Sequence, residues 1–283
     1  MKGILHLMTT TTQKHARIRK PRKADTADRH ALYERSVQNT DHEYDFLNSA
    51  FQRLRGRTAH RLREDFCGTA QMSCEWVKRR RTNEATGVDI DGAVLEWGAA
   101  HNVSRLPPAA QRRLQLLQAD VRTVRAQLSD IIIAMNFSYQ IFKTRDALRG
   151  YFQHARQGLV KDGVFFIDAF GGYDAIREMR ERTEQRGFTY IWDQARYDPI
   201  TGEIVCHIHF VFPDGSRLNK AFTYEWRLWT LPELKELLLE AGFKRVTVYW
   251  QGTDRRGQPN GVFEPATSGE SDPAWIAFLS AEK

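Results

Sequence analysis

The sequence RLREDFCGTAQMSCEWVKRRRTNEATGVDID, residues 61–91, decides the fold of this chain. It predicts a strand over 62–66, a turn of small residues over 67–70, a helix over 70–80, and a second strand over 85–88 that leads into Asp89. Small residues in the turn allow backbone N–H groups to approach a ligand, and a carboxylate about 20 residues further on can accept hydrogen bonds from ribose hydroxyls. The stretch therefore predicts the nucleoside-binding part of a doubly wound sheet.

Strands and helices continue to alternate after this stretch. Strands are predicted over 114–118, 130–135 and 164–169, and helices over 93–102 and 145–159. The run DIIIAM at 130–135 is apolar nearly throughout, which is typical of a strand buried on both faces of a parallel sheet. Repeated β–α alternation with short loops predicts a parallel, right-handed, doubly wound α/β sheet.

The pattern changes after Gly172. A charged segment over 173–186 predicts an amphipathic helix, and the segments 188–197, 203–212 and 217–229 alternate like antiparallel strands. A capping box then predicts a helix beginning at Thr230. A strand over 245–250, a polar loop over 252–272 and a last strand over 274–281 complete the chain.

These patterns divide the chain into four parts. They are a disordered basic tail over 1–24, an N-terminal helical cover over 25–58, an α/β domain formed by 59–172 and 230–283, and an insert over 173–229. The cover consists of two helices on the start of the sheet. The insert, a helix followed by antiparallel strands, is interpreted as a substrate lid or a dimer element.

The net charge of +7 is located in the tail. Residues 1–23 hold seven Lys and Arg side chains and no acid, so the rest of the chain has 35 basic and 35 acidic side chains. A formally neutral body lacks the clustered basic surface that nucleic-acid binding requires, so nucleic acid is not an expected partner. The tail is interpreted as solvated, with an organelle transit peptide or an RNA-contacting arm as alternatives.

Composition also bears on the compartment. No apolar run approaches the roughly 18 residues of a membrane span, so no membrane partner is expected. The three cysteines, Cys67, Cys74 and Cys206, form neither a CxxC motif nor a secreted pattern. We therefore expect a cytoplasmic protein in a reducing compartment.

With these elements placed, the chain resembles the class I S-adenosylmethionine-dependent methyltransferases, small-molecule type with a β-rich insert after strand five. DFCGTA at 65–70 resembles the family's first motif, with Gly68 at the central glycine and Phe66 and Ala70 at the other two. GVDID at 87–91 resembles the second motif, ADV at 119–121 the third, and LVKDGVFFIDAF at 159–170 the segment leading into strand five. The resemblance implies a seven-stranded, mostly parallel, Rossmann-like sheet in the order 3-2-1-4-5-7-6, with strand seven antiparallel.

The resemblance also implies a cofactor and its site. S-adenosylmethionine (SAM) would be bound and S-adenosylhomocysteine released. Asp89 would hold the ribose, Ile90 would lie against the adenine, and Asp120 would meet the adenine amino group. Either Glu64 or Asp65 would face the cofactor, and Tyr33 would close over it. The other expected cofactor contacts are Cys67, Gly68, Thr69, Ala70, Val121, Asn136 and Phe137.

Candidate acceptor residues lie elsewhere in the chain. Asn136-Phe-Ser-Tyr139 follows strand four, loosely resembles the NPPY motif of amino-group methyltransferases without its prolines, and directs Tyr139 toward the acceptor. His207 and His209 are the candidate bases; because no third ligand accompanies them, no metal is expected. Aromatic residues of the insert form its own core or a cage for a cationic amine. The predicted acceptor contacts are Tyr139, Tyr173, Trp192, Tyr197, Arg227 and Trp229.

The predicted function is methyl transfer from SAM to a small-molecule acceptor by in-line displacement. An amine nitrogen is the expected acceptor atom and a hydroxyl oxygen the alternative. The rival functions are an RNA or protein methyltransferase guided by the basic tail, and a non-catalytic nucleoside-binding protein. A homodimer formed through the β insert is left open.

Overall fold

The computed structural model describes residues 20–256 and 259–283, which fold around two β-sheets. The larger sheet has eight strands and the smaller sheet four. The strands are β1 (Arg61–Asp65), β2 (Glu84–Asp89), β3 (Leu114–Gln118), β4 (Ser129–Ala134), β5 (Leu159–Gly171), β6 (Met179–Gln185), β7 (Phe188–Tyr197), β8 (Glu203–Val211), β9 (Arg217–Arg227), β10 (Arg245–Thr253), β11 (Pro259–Ala266) and β12 (Trp275–Glu282). The helices are α1 (Lys23–Thr26), α2 (Arg29–Val37), α3 (Thr40–Arg55), α4 (Gln71–Arg79), α5 (Gly92–His101), α6 (Pro108–Gln111), α7 (Arg145–Gln157) and α8 (Leu231–Glu240), with 3₁₀ turns at Val103–Arg105 and Ser138–Ile141.

The large sheet has the strand order β11-β10-β12-β5-β4-β1-β2-β3. Five adjacent strands run parallel to one another, in the order β3, β2, β1, β4 and β5. Next to them β12 is antiparallel to β5, and β10 is antiparallel to β12. The α/β doubly wound fold class and the expected order of seven strands are therefore confirmed. β11 adds an eighth strand at the edge beside β10.

Two apolar layers cover the faces of the large sheet. On one face α7 and α8 bury Leu148, Phe152 and Leu237, each without exposed surface, against β4 and β5. On the other face α3 and α4 bury a second cluster that includes Phe51 and Trp76. Both faces of β4 are thus buried, which explains its continuous apolar sequence.

Two predicted elements are wrong. The segment predicted as a helix over 173–186 contains β6, the edge strand of the small sheet. Its backbone is extended and pairs with β7, so its charged side chains point alternately to the two faces of the sheet. The segment predicted as a polar loop over 252–272 contains β11, an exposed edge strand with prolines at Pro259 and Pro265. Edge strands tolerate prolines and charges that would be unusual in a central strand.

The two N-terminal helices have different partners, which corrects the prediction that both cover the large sheet. α3 packs on the large sheet, where Phe46 stacks on Phe278 at 4.3 Å between ring centroids. α2 instead packs on the small sheet, where Leu32 joins a cluster with Phe188 and Phe210.

Most of the predicted disordered tail, residues 1–19, lies outside the described residues. The next residues are structured: α1 begins at Lys23, and its first N–H groups donate to Asp214 and Ser216 of the insert at 2.9 and 3.1 Å. Among the described helices, none is both long and apolar enough to cross a membrane.

Candidate functional site

The turn after β1 has an unusual backbone. Phe66, Gly68 and Ala70 all have positive φ angles, of 58, 51 and 57°. A left-handed conformation costs a residue other than glycine roughly 1–2 kcal/mol. Phe66 and Ala70 therefore hold a strained backbone conformation that glycine would adopt freely. A side chain at Gly68 would meet no heavy atom within 4 Å, so the turn faces open space there.

Hydrogen bonds within the protein fix this turn. The N–H groups of Cys67, Gly68 and Ala70 donate to Val88 O, Asp89 Oδ2 and Cys67 O at 2.9, 2.8 and 2.8 Å. The side chains of Cys67, Thr69 and Ala70 are buried. The turn therefore offers a ligand its open surface at Gly68, where the sequence predicts a close approach by backbone N–H groups.

Asp89 lies at the end of β2 beside that open surface. Its Oδ2 accepts from Gly68 N–H at 2.8 Å, and its Oδ1 accepts from Asp91 N–H at 3.0 Å. Each carboxylate oxygen keeps a further lone pair for a ligand donor. The neighbouring Ile90 side chain is 70% exposed, which is unusual for a large apolar residue. A carboxylate next to an uncovered apolar side chain fits a ribose joined to a base.

Asp120 lies at the end of the next strand along the sheet. Arg122 donates to both of its carboxyl oxygens at 2.6–3.1 Å, and this guanidinium holds the pKa of Asp120 below its usual range. A ligand amino group would share Asp120 with Arg122. Val121 has its side chain in the core, so only its backbone could reach a ligand.

Glu64 and Asp65 point to opposite faces of β1, because side chains alternate along a strand. Glu64 Oε2 accepts from Ser73 N–H and Oγ–H, at 2.8 and 2.5 Å, at the start of α4. Asp65 is fully buried against Arg63 and accepts from Tyr151 OH at 2.9 Å. Asp65 is therefore a core residue, and of the two alternatives only Glu64 remains on the side of the turn.

The loop after β4 is held by one carboxylate. Asn136 and Phe137 have positive φ angles of 56 and 58°, and their N–H groups donate to Asp168 Oδ2 and Oδ1 at 2.8 and 2.9 Å. Consecutive left-handed residues other than glycine are strained, and Asp168 at the end of β5 stabilises them. The two hydrogen bonds to this aspartate restrain the loop backbone, as the prolines of an NPPY motif would. Asp168 was not among the predicted site residues, although its place near the end of the predicted fifth strand is a signal for a residue at the ligand-binding edge of the sheet.

A cavity of about 390 Å³ opens between this loop and the small sheet. Eight of its described lining residues are aromatic. Among them Tyr224 stacks on Trp226 at 4.4 Å between ring centroids, and Phe137 packs on Phe170 at 4.7 Å. Asp174 and Glu181 supply carboxylates to the lining, which contains no Lys, Arg or His among the described residues. The remaining lining residues that matter for recognition are Tyr33, Asn136, Tyr190, Trp192, Gln194, Gln251 and Trp275.

Comparison with solved structures identifies the fold. A SAM-dependent methyltransferase from Clostridium acetobutylicum has a TM-score of 0.65 to this chain at 15% identity, over 89% of this chain and 96% of its own. The chain has the fold of the SAM-dependent methyltransferases. The resemblance seen in the sequence is thus confirmed at the level of the fold.

Two further structures with this fold belong to enzymes that are named as methyltransferases of sugars. A SAM-bound amino pentose methyltransferase from Micromonospora echinaspora, involved in calicheamicin biosynthesis, has a TM-score of 0.61 at 15% identity over 90% of this chain and 96% of its own. A sugar N-methyltransferase from Streptoalloteichus has a TM-score of 0.60 at 16% identity over 99% of each chain. No protein-family model matches the sequence, and no curated protein matches it.

The methyltransferase fold brings together some of the predicted residues. Gly68, Asp89 and Ile90 lie together at the ends of β1 and β2, Asn136 and Phe137 form the loop after β4, and Tyr33 and Trp192 line the aromatic cavity. Tyr33 reaches the cavity from α2 and packs on Phe222 at 5.1 Å between ring centroids. Tyr224 and Trp226, which belong to the aromatic residues of the insert considered for a cage, also join the lining. Tyr190 and Trp275 join it too, although they were not among the predicted contacts.

Five predicted acceptor residues are outside the lining of this cavity. Tyr139 is fully buried, and its hydroxyl donates to Asp168 O at 2.8 Å, so it is neither a catalytic nor an acceptor residue. Trp229 lies in the core of the large domain and donates to Phe142 O at 3.1 Å, because the chain leaves the small sheet before this residue. Arg227 pairs with Glu233 at 3.0 Å. Tyr197 packs in the cluster that contains Trp226, and Tyr173 is 54% exposed.

The two predicted bases are also misplaced. His207 and His209 lie on the outer face of the small sheet, whereas Ile208 between them lines the aromatic cavity. His207 Nδ1 pairs with Thr223 Oγ1 at 3.0 Å. His209 Nδ1 accepts from Lys220 N–H at 3.1 Å, which leaves Nε2–H to donate to Asp193 at 3.1 Å. Neither imidazole can act as a base on a ligand in this cavity.

Three carboxyl groups near the donor side have raised pKa values. Burial raises the pKa of Glu64 and of Asp168 to about 7. Burial, with repulsion from those two carboxylates, raises the pKa of Glu43 on α3 to about 8. None of the three forms an ion pair with a Lys, Arg or His of the described residues. A cationic ligand would supply the missing countercharge.

Proposed function

We propose that the chain is a SAM-dependent methyltransferase that methylates an amine nitrogen of a small, largely apolar molecule. One observation carries the proposal: an aromatic cavity, whose described lining contains carboxylates and no basic residue, adjoins the Asn136–Phe137 loop at the end of β4. Ligands of open α/β sheets bind at this end of the strands. The names of the amino pentose and sugar N-methyltransferases with the same fold support the choice of nitrogen.

The donor side fits SAM. Asp89 would accept both ribose hydroxyls, Ile90 would cover one face of the adenine, and Gly68 leaves room for the methionine portion. Glu64, Asp168 and Glu43 would balance the positive charge of the ligand. When bound, SAM supplies a methyl group already activated by a sulfonium, so the protein needs chiefly to orient the acceptor and exclude water.

The cavity favours an amine over a hydroxyl as the acceptor. A neutral amine attacks with its own lone pair, whereas a hydroxyl requires a base to take its proton. The described lining contains no histidine or lysine, Asp174 is already paired with Arg177 at 2.8 Å, and burial raises the pKa of Tyr33 above its ordinary value. Glu181 is therefore the one candidate base among the described lining residues. Aromatic faces and carboxylates attract the cationic form of an amine, which would pass its proton to a lining carboxylate such as Glu181 before it attacks, and they do not favour a phosphate or a carboxylate.

Turnover with labelled SAM on matched pairs of aromatic amines and phenols tests the proposal. We expect methylated amine products, S-adenosylhomocysteine release, and little product from the phenols. Tight SAM binding with no product on any acceptor would contradict methyl transfer and favour a nucleoside-binding protein. Product from phenols alone would contradict the choice of nitrogen.

The affinity for SAM is expected to rise with pH. A cationic ligand favours ionised Glu64 and Asp168, so binding lowers their pKa values from about 7 and releases protons. Each carboxylate then increases the affinity by up to about tenfold between about pH 6 and pH 8. Calorimetry in buffers of different ionisation enthalpy measures both the affinity and the protons released. Glu64→Gln should flatten the profile, and a wild-type affinity independent of pH would contradict the charge assignment.

Trp192→Leu is expected to raise the KM for an amine acceptor by about tenfold, because the change removes an aromatic face from the cavity wall. The dissociation constant of SAM should not change. Tyr173→Leu is the matched control, since Tyr173 is an exposed aromatic residue outside the cavity lining. Unaltered acceptor kinetics in Trp192→Leu would show that the acceptor binds elsewhere.

A further inference from the structure

The outer face of the small sheet carries a second cavity, of about 440 Å³. It lies behind the aromatic cavity, because neighbouring residues of one strand point to opposite faces. Tyr190 and Ile208 line the aromatic cavity, while their neighbours Ile191 and His209 line the outer one. The outer cavity is lined by Arg180, Arg182, Ile191, His209, Val211, Arg217, Asn219 and Lys220.

The outer cavity has an excess of positive charge. The nearby Asp193 is buried and already bound by Arg180 and His209 at 3.0 and 3.1 Å. Glu184, on the same strand as Arg182, accepts from Thr189 Oγ1 at 2.9 Å and is not part of the lining. The remaining cations, Arg182, Arg217 and Lys220, form no ion pair with any residue that the structure describes.

A bulge in β9 fixes the position of Lys220. Ile208 pairs with Phe222 and Phe210 pairs with Leu218, so the three residues 219–221 lie opposite the single residue His209. Lys220 has a φ of 49°, a strained value for a lysine. Its N–H donates to His209 Nδ1, whose ring is fixed in turn by Asp193. Bulges commonly redirect a side chain beside a binding site.

We propose that the outer cavity binds a phosphate-bearing small molecule. Arg182 and Arg217 would hold phosphate oxygens through their paired N–H groups, and Lys220 would add a third positive charge. Ile191 is buried and Val211 half-buried at the floor of the cavity, where an apolar part of the ligand would pack. A concave site that gathers cations from two strands fits a compact anion better than an extended polymer. This site is independent of the proposed methyl transfer.

Calorimetric titration of the full chain with pyrophosphate and with ADP, without added metal, tests the proposal. We expect both probes to bind at micromolar to millimolar concentration, more weakly as salt is added. The double variant Arg182→Gln/Arg217→Gln and the single variant Lys220→Gln should each weaken binding by about tenfold or more. Because ADP can also enter the nucleoside site proposed at Asp89, tighter binding of ADP than of pyrophosphate supports the apolar floor only if the double variant abolishes that difference.

Arg196→Gln is the matched control, because Arg196 is an exposed arginine of the same sheet that does not line the cavity. It should bind the probes as the wild type does. Unchanged thermal unfolding would show that every variant is folded. Three results would overturn the proposal: neither probe binds the wild type, the double variant binds as tightly as the wild type, or single-stranded RNA binds through these side chains while both small probes do not.

Discussion

Asp89→Ala is expected to weaken SAM binding by about 100-fold or more. The change removes a carboxylate that would accept hydrogen bonds from two ribose hydroxyls, and each bond to a charged group contributes roughly 1.5–3 kcal/mol. Asp89 also fixes Gly68 N–H at 2.8 Å, so the turn loses its restraint in the same variant. Calorimetry or equilibrium dialysis with SAM measures the loss.

Two variants separate the causes of this loss. Asp89→Asn retains an acceptor for Gly68 N–H and should lose less affinity than Asp89→Ala. Asp91→Ala removes a neighbouring carboxylate that accepts from Ala93 and Val94 N–H at the start of α5. It should lower the free energy of unfolding by about 1 kcal/mol and leave SAM affinity unchanged. Full SAM affinity in Asp89→Ala would place the ribose elsewhere.

Asp65→Ala is expected to lower the free energy of unfolding by about 3–5 kcal/mol, because it leaves the guanidinium of Arg63 buried without a counterion. The two side chains are 0% and 2% exposed, and Arg63 Nη2 donates to Asp65 Oδ2 at 3.0 Å. Urea denaturation followed by circular dichroism measures the difference. The double variant Arg63→Leu/Asp65→Ala should recover part of the loss, since no unpaired charge remains.

Arg53→Ala supplies the comparison for a solvated pair. Arg53 pairs with Glu264 at 2.9 Å, but the two side chains are 49% and 63% exposed. Its removal should cost about 0–1 kcal/mol. A loss of that same size in Asp65→Ala would contradict the view that Asp65 supports the core.

The residues proposed to hold the methyl donor could be named from the sequence because they follow one another at the ends of successive strands. Gly68 lies in the turn after β1, Asp89 is the last residue of β2, and Asn136 lies in the loop after β4. Parallel strands bring these ends to one edge of the sheet. The alternation of β1 also made it certain that Glu64 and Asp65 diverge. The sequence could not show which of them faces the core, because that depends on Arg63 and Tyr151 across the domain.

The acceptor side could be predicted only in part. Its wall combines residues from α2, the end of β5, the small sheet and the start of β12, which are distant in sequence. Alternation correctly separated Ile208 from His207 and His209, but it could not show which face covers the site. Alternation along the predicted strand 217–229 places Trp226 and Trp229 on opposite faces of one strand. The strand β9 instead ends at Arg227, so Trp226 lines the cavity and Trp229 lies in the core of the large domain.

The clamp made by Asp168 gives the loop after β4 a property that a proline-stiffened loop would lack. A pyrrolidine ring limits the backbone at every pH, whereas a carboxylate holds two N–H groups fully only while it is ionised. Because burial raises the pKa of Asp168 to about 7, protonation near neutrality weakens its hold on Asn136 and Phe137. The strained left-handed backbone of Asn136 and Phe137 can then relax. Protonation of Asp168 thus controls how rigidly these two residues are held in the lining of the aromatic cavity.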